Sequence, residues 1–206
     1  MEEEQQSESQ DNTTRNKPFI KKLGLFSLEA IKIIVLAGVT VFVVRSFIFK
    51  PFYVKGSSME PNFHEHDYLI VDQVTYQFRE PKRGEVVVFK PPTGRKDFYL
   101  KRIIGLPGER IRIENGKVII CDISCERLKE GYIEKSDLKI EGTYSVTLGK
   151  EQYFVLGDNR DNSSDSRIFG PVDRDAIVGK VWFRGYPIPR IDEFDPPPYN
   201  LDKLNS

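Results

Sequence analysis

Cysteine and histidine are scarce in this 206-residue chain, with two of each. Cys121 and Cys125 lie close together, and His64 and His66 are far from them in sequence. A four-ligand zinc site of the usual Cys/His kind is hard to assemble from that set, so neither a metal nor a cofactor is expected. An excess of charge of either sign is also missing, because 31 Lys plus Arg balance 31 Asp plus Glu. Nucleic-acid-binding domains usually carry a basic excess, so no nucleic-acid partner is expected. A long uncharged run is missing too. The apolar stretch 23–49 contains only Ile33 to Val44 without a charge, roughly 18 Å of helix at ~1.5 Å per residue. That falls short of a ~30 Å hydrocarbon core unless the flanks contribute.

The flanks can do so. Lys32 and Arg45 can snorkel towards opposite interfaces, and Glu29 can pair with Lys32 at i, i+3. Apolar residues cover every face of this stretch, which disfavours a helix packed in a globular core. A cleaved secretory leader fits the basic start, but Arg45-Ser46-Phe47-Ile48-Phe49 offers no small-x-small cleavage pair. The reading taken is a single membrane anchor over residues 23–49. Lys17, Lys21 and Lys22 place the N-terminus on the cytoplasmic side and the rest beyond the inner membrane. Residues 1–22 form a cytoplasmic tail with a basic flank. From Glu2 to Asn16 it holds no aliphatic or aromatic residue, too little apolar surface to offset ordering entropy.

After the anchor the pattern is strand after strand: Asp67 to Val71, Glu85 to Phe89, Phe98 to Ile104, Tyr144 to Leu148, Gln152 to Leu156 and Ile177 to Phe183. Arg110 to Ile113 and Lys117 to Ile120 flank Asn115-Gly116, a dipeptide suited to a type I′ turn and the best hairpin signal in the chain. The expected fold is mainly β, an antiparallel sheet or barrel-like domain over residues 50–190 behind the anchor. Residues 191–206, with Asp195-Pro196-Pro197-Pro198, read as a tail.

Three polar segments interrupt the strands: Gly56 to Pro61, Tyr99 to Gly108 and Gly157 to Arg167. Singly, each has an ordinary reading. Gly-Ser-Ser before proline is usually a turn, and a lysine within a strand usually faces water. The third resembles a calcium loop in composition. An EF-hand loop needs glutamate at its twelfth position, which here is Phe169 or Val172.

In order, however, they resemble the boxes of the type I signal peptidase family. Ser58-Met59-Glu60-Pro61 matches the serine box, and Arg83 to Phe89 the next strand box. Tyr99 to Gly108 matches the lysine box, and Gly157 to Arg167 the last one. The resemblance implies a serine endopeptidase with Ser58 as nucleophile and neutral Lys101 as general base, removing signal peptides from exported preproteins. It implies that Ser163 bonds and orients the Lys101 amine, that Asp165 pairs with Arg167, and that Asp158 and Arg160 are structural members of the loop. Phe52, Val54, Met59, Leu69, Tyr99 and Leu100 would line shallow pockets for small side chains at −1 and −3 of the substrate. The Ser58 amide would be one oxyanion donor. Many members carry a serine where this chain has Gly56, so the second donor is either the Ser57 hydroxyl or a backbone N–H, with a backbone donor favoured. The partners implied are signal peptides and the lipid bilayer, with the protein a monomer.

The chemistry suits these residue types. A serine hydroxyl needs a base within hydrogen-bond reach, and His64 or His66 would require the chain to double back at once. A lysine serves if burial keeps it neutral. Ser58 lies nine residues beyond Phe49, at most ~30 Å of extended chain, which keeps the site near the bilayer. Cys121 and Cys125 follow the hairpin in a compartment where disulfides persist, so a disulfide between them is expected, with two free thiols as the alternative. A narrower-substrate peptidase using the same pair of residues, and a non-catalytic anchored binding domain, are the competing functions.

Overall fold

The computed structural model describes residues 29–41, 49–94, 97–133, 143–194, 196 and 200–203. The chain divides into two compact units, Met1–Ser46 and Phe47–Ser206. In the first, residues 29–41 form helix α1, which is exposed along nearly its whole length. No helix among the described residues is long and apolar enough to cross a membrane. Most of the N-terminal tail and the remainder of the 23–49 stretch lie outside the described residues.

The second unit is mainly β. Its larger sheet contains β1 (Phe49–Tyr53), β2 (Tyr68–Asp72), β3 (Val86–Phe89), β4 (Tyr99–Gly105), β9 (Gln152–Leu156), β10 (Val172–Asp173), β11 (Ile177–Tyr186) and β12 (Asp192–Glu193). The order is β1-β2-β11-β3-β4-β9-β10, with β12 on β11. The smaller sheet runs β13-β7-β6-β5-β8, from β5 (Arg110–Glu114), β6 (Lys117–Cys121), β7 (Cys125–Lys129), β8 (Thr143–Thr147) and β13 (Asn200–Lys203). The strand pairings are antiparallel. Two four-residue helices complete the unit, α2 (Thr75–Phe78) and α3 (Ser166–Phe169).

Side-chain patterning explains these positions. In β3 all four residues are buried, as a central strand requires. Val86 and Val88 enter one core with Val54, Met59, Phe63 and Leu69, while Val87 and Phe89 enter another with Ile103, Tyr153 and Val155. In β5 the alternation is strict: Ile111 and Ile113 are buried and pack with Ile120 and Phe154 in a third core. The β5–β6 hairpin closes on Asn115 and Gly116, at φ 49° and 76°, with Glu114 opposite Lys117. Positive φ at both central residues is what a type I′ turn demands. At the end of β6 the Cys121 and Cys125 sulfurs lie 1.96 Å apart, facing each other in the β6–β7 pairing.

The C-terminal residues read as a tail contribute to both sheets, through β12 on β11 and β13 on β7. The tie in the first case is aromatic. Phe194 packs against the core of Val54, Met59, Phe63 and Leu69, its ring centroid 4.4 Å from that of Phe63.

Candidate active site

Ser58 lies in the turn connecting β1 to β2. The strand pairing continues beyond Tyr53 through Val54 N–H to Asp67 O at 2.9 Å and His66 N–H to Val54 O at 3.0 Å. Between these bonds the chain turns over, with Gly56 at φ +85°, a backbone region open mainly to glycine. Met59 and Phe63 are completely buried and joined by a Phe63 N–H to Met59 O bond of 2.9 Å, so the residue after Ser58 anchors the turn in the core.

Lys101 comes from the middle of β4, directly opposite Val87 of β3, and is 4% exposed. Its Nζ donates to Ser58 Oγ at 2.7 Å and to the Leu100 carbonyl at 2.9 Å, with the Tyr99 ring centroid 5.5 Å away. Burial pushes the amine down to about 8; Asp165 and Asp158 push it up, and Arg167 pushes it down. Burial prevails because no carboxylate bonds the amine directly. Neither histidine bonds Ser58. His66 packs tilted against Tyr53 with ring centroids 5.5 Å apart, and the buried His64 Nδ1 has no hydrogen-bond partner among the described residues.

The loop 157–165 closes over this pair. The Asn159 amide donates to Ser58 O at 3.0 Å, and Asn159 Nδ2 donates to Ser57 O at 3.1 Å. Asn162 Nδ2 donates to Ser57 Oγ at 2.8 Å. The fully buried Asp165 carboxylate accepts from Gly157 N–H at 3.0 Å and takes two bonds of 2.8 Å from Arg167. Asp158 forms a fork with Arg102, the residue after Lys101, at 2.8 and 2.6 Å, and also accepts from Asn62. Arg160 pairs with Glu130, both side chains 1% exposed.

Ser163 departs from the expectation. Its Oγ is buried with no hydrogen-bond partner among the described residues, and the bond to Lys101 is not formed. The amine is turned instead to Ser58 and Leu100 O. Ser163 packs against Gly157, where an added Cβ would lie 2.2 Å from Ser163 Oγ and 2.5 Å from Ser58 O. Gly157 is thus the close-packing point between the loop and the Ser58 turn.

A cleft of about 580 Å³ opens beside Ser58 and Lys101. Phe52, Val54, Met59, Leu69, Tyr99 and Leu100 all line it, with Phe98 edge-on to Phe52 at 5.4 Å. The polar Lys55, Ser57, Ser58, Asp97, Lys101, Asn162 and Ser164 share the lining with these apolar side chains. Among the described residues no cluster of His, Cys, Asp and Glu could hold a metal ion.

A serine hydroxyl and a buried amine in contact beside a cleft fit many hydrolases, but the sequence match is narrower. The family model for signal peptidase, peptidase S26, matches residues 27–186. The chain belongs to this signal peptidase family. It is 38% identical to a probable signal peptidase I-2 of Synechocystis over 80% of this chain and 75% of the relative. It is also 36% identical to a signal peptidase I of Leptolyngbya laminosa, over 83% of this chain and 85% of the relative. A solved signal peptidase I from Enterococcus faecalis is 30% identical, covering 50% of this chain and 97% of its own, with a TM-score of 0.42. This signal peptidase is therefore a serine peptidase. The sequence named its Ser58, Lys101, Asp158, Asp165 and cleft residues individually. Gly157, Asn159 and Asn162 stood in the third polar segment without roles, whereas Asn62 and Glu130 carried no signal at all.

Proposed function

We propose that this signal peptidase cleaves signal peptides from exported preproteins with Ser58 as nucleophile and neutral Lys101 as general base. The observation that carries this reading is the 2.7 Å contact from Lys101 Nζ to Ser58 Oγ beside the cleft. Deprotonated, the amine accepts the Ser58 hydroxyl proton as Oγ attacks the scissile carbonyl, and returns it to the leaving amine. Hydrolysis of the acyl-enzyme by water repeats the same proton path. The Ser58 amide supplies one oxyanion bond. The Gly56 amide is turned towards Glu65 Oε1 at 3.3 Å, so the second donor comes from elsewhere in the turn. The cleft residues take small side chains at −1 and −3.

The apolar stretch 23–49 anchors the enzyme, with the catalytic unit on the extracytoplasmic side of the inner membrane. The short link from Phe49 to Ser58 then keeps the site where a substrate's cleavage junction emerges from the bilayer. The deciding assay mixes full-length protein in detergent with a preprotein reporter bearing an alanine-x-alanine junction. Cleavage at that junction is expected. It should be lost in Ser58→Ala and Lys101→Ala and largely kept in His64→Ala plus His66→Ala. A double histidine variant as inactive as Ser58→Ala would refute the lysine assignment. Processing of only one narrow preprotein class would favour a dedicated peptidase using the same residues.

A further inference from the structure

The loop that covers Ser58 is tied at its base to a distant part of the chain. Arg160 uses its whole guanidinium edge. Nε donates to Gly157 O at 2.9 Å, Nη1 to Glu130 Oε2 at 2.7 Å, and Nη2 to Glu130 Oε1 and to Tyr132 OH at 3.2 Å. The Tyr132 hydroxyl in turn donates to Glu130. Glu130 directly follows β7 of the smaller sheet and is 30 residues from Arg160. A buried ion pair is a poor way to gain stability, since removing both charges from water offsets most of their attraction. It does fix geometry, because a guanidinium–carboxylate fork tolerates one orientation.

That orientation is transmitted to the nucleophile within two residues. Arg160 grips Gly157 O on one side of the loop, and Asn159 next to it holds the carbonyls of Ser57 and Ser58. Tyr132 also reaches the chain neighbour of Lys101. Its ring covers the Arg102 guanidinium at 4.3 Å, next in sequence to Lys101, and its carbonyl accepts from Asn62, which also bonds Asp158. The segment 130–132 therefore touches the supports of nucleophile and base at once.

We propose that Glu130 and Tyr132 are positioning residues for the peptidase reaction, acting through Arg160 and the 157–165 loop on the main chain of Ser58. This rests on the reading of Ser58 and Lys101 as the reacting pair. The reacting atoms must be held to fractions of an ångström, so a loosened loop slows the chemical step more than it weakens binding.

The test uses full-length protein in detergent with the preprotein reporter, each variant held well below its own melting temperature. Glu130→Gln is expected to lower kcat about tenfold or more with KM within about twofold, and Tyr132→Phe to lower it severalfold. Glu130→Gln combined with Asn159→Ala should cost little beyond Asn159→Ala alone, since both act through one loop. A folded Glu130→Gln variant with wild-type kcat overturns the proposal, as do losses that multiply in full in the double variant. If Glu130→Gln does not fold, Tyr132→Phe decides, because it leaves the ion pair in place; wild-type kcat there overturns the proposal. Activity that survives in Ser58→Ala would instead refute the underlying reading, an outcome independent of Glu130.

Discussion

Replacing Lys101 by methionine keeps the length of the side chain while removing the amine, and its effect on stability depends on pH in a way that burial dictates. In the folded protein the amine loses its proton at about 8, against an ordinary 10.5 in the unfolded chain. At roughly 1.4 kcal/mol for each pH unit, charging this group in the fold costs about 3 kcal/mol. Below pH 8 both states are protonated and the whole cost is present. Between about 8 and 10.5 the unfolded state binds the extra proton, so wild-type stability rises with pH, by up to about 1.4 kcal/mol per unit. Above 10.5 both are neutral and the cost vanishes. Lys101→Met should therefore exceed the wild type most at pH 7 and lose about 3 kcal/mol of that advantage by pH 10.5, judged against the advantage left there. Urea denaturation of both full-length proteins in the same detergent, at half-unit steps from pH 7 to 10.5, gives the difference curve. A difference that stays flat across this range would refute the claim that Lys101 is depressed by burial. The same ionisation should appear in wild-type activity, with kcat/KM climbing through a midpoint near 8.

Gly157→Ala places a methyl group 2.5 Å from Ser58 O and 2.2 Å from Ser163 Oγ, so it should cost about 1–3 kcal/mol in denaturant unfolding and at least tenfold in kcat; an unperturbed variant would mean that loop and turn part easily. Ser57→Ala should be nearly silent if a backbone amide completes the oxyanion hole, whereas a fall of about a hundredfold in kcat at constant KM would assign the second donor to the Ser57 hydroxyl. Cys121 and Cys125 should resist alkylation before reduction in exported protein, and mass spectra with both thiols fully labelled would exclude the bond. Its closed loop is short, so Cys121→Ser plus Cys125→Ser should cost less than the ~3 kcal/mol typical of a 15-residue loop.

Much of the fold could be read locally. The Val86–Phe89 run is apolar on both faces and lies centrally, and Asn115-Gly116 joins the alternating β5 to β6 with Glu114 opposite Lys117. These features depend on neighbours a few residues apart, the scale at which sequence patterns speak. The C-terminal segment misled because β12 and β13 are short strands recruited by existing edges and by Phe194, not by a pattern of their own. The site divides similarly. Ser58, Lys101 and the cleft residues sit in segments whose wording resembles a family, so they could be named. The contacts that hold them do not, since Asn62 and Asp158 are 96 residues apart and Glu130 lies in a stretch with no motif. The expected Ser163–Lys101 bond is absent for a related reason: sequence order says which loop a hydroxyl belongs to, but not which way it turns.

The strand β3 serves as a common wall between two separate cores, Val86 and Val88 facing one and Val87 and Phe89 the other, with Val87 also opposite Lys101. Adding or deleting a methylene on either side presses on the wall itself, and through the β3–β4 pairing on the strand that carries Lys101. Repacking of either interior for heat tolerance is therefore expected to shift the Lys101 amine relative to the Ser58 hydroxyl, which a change in kcat at constant KM would reveal. Surface substitutions on the smaller sheet offer a route to heat tolerance without that coupling, provided they leave residues 130–132 in place.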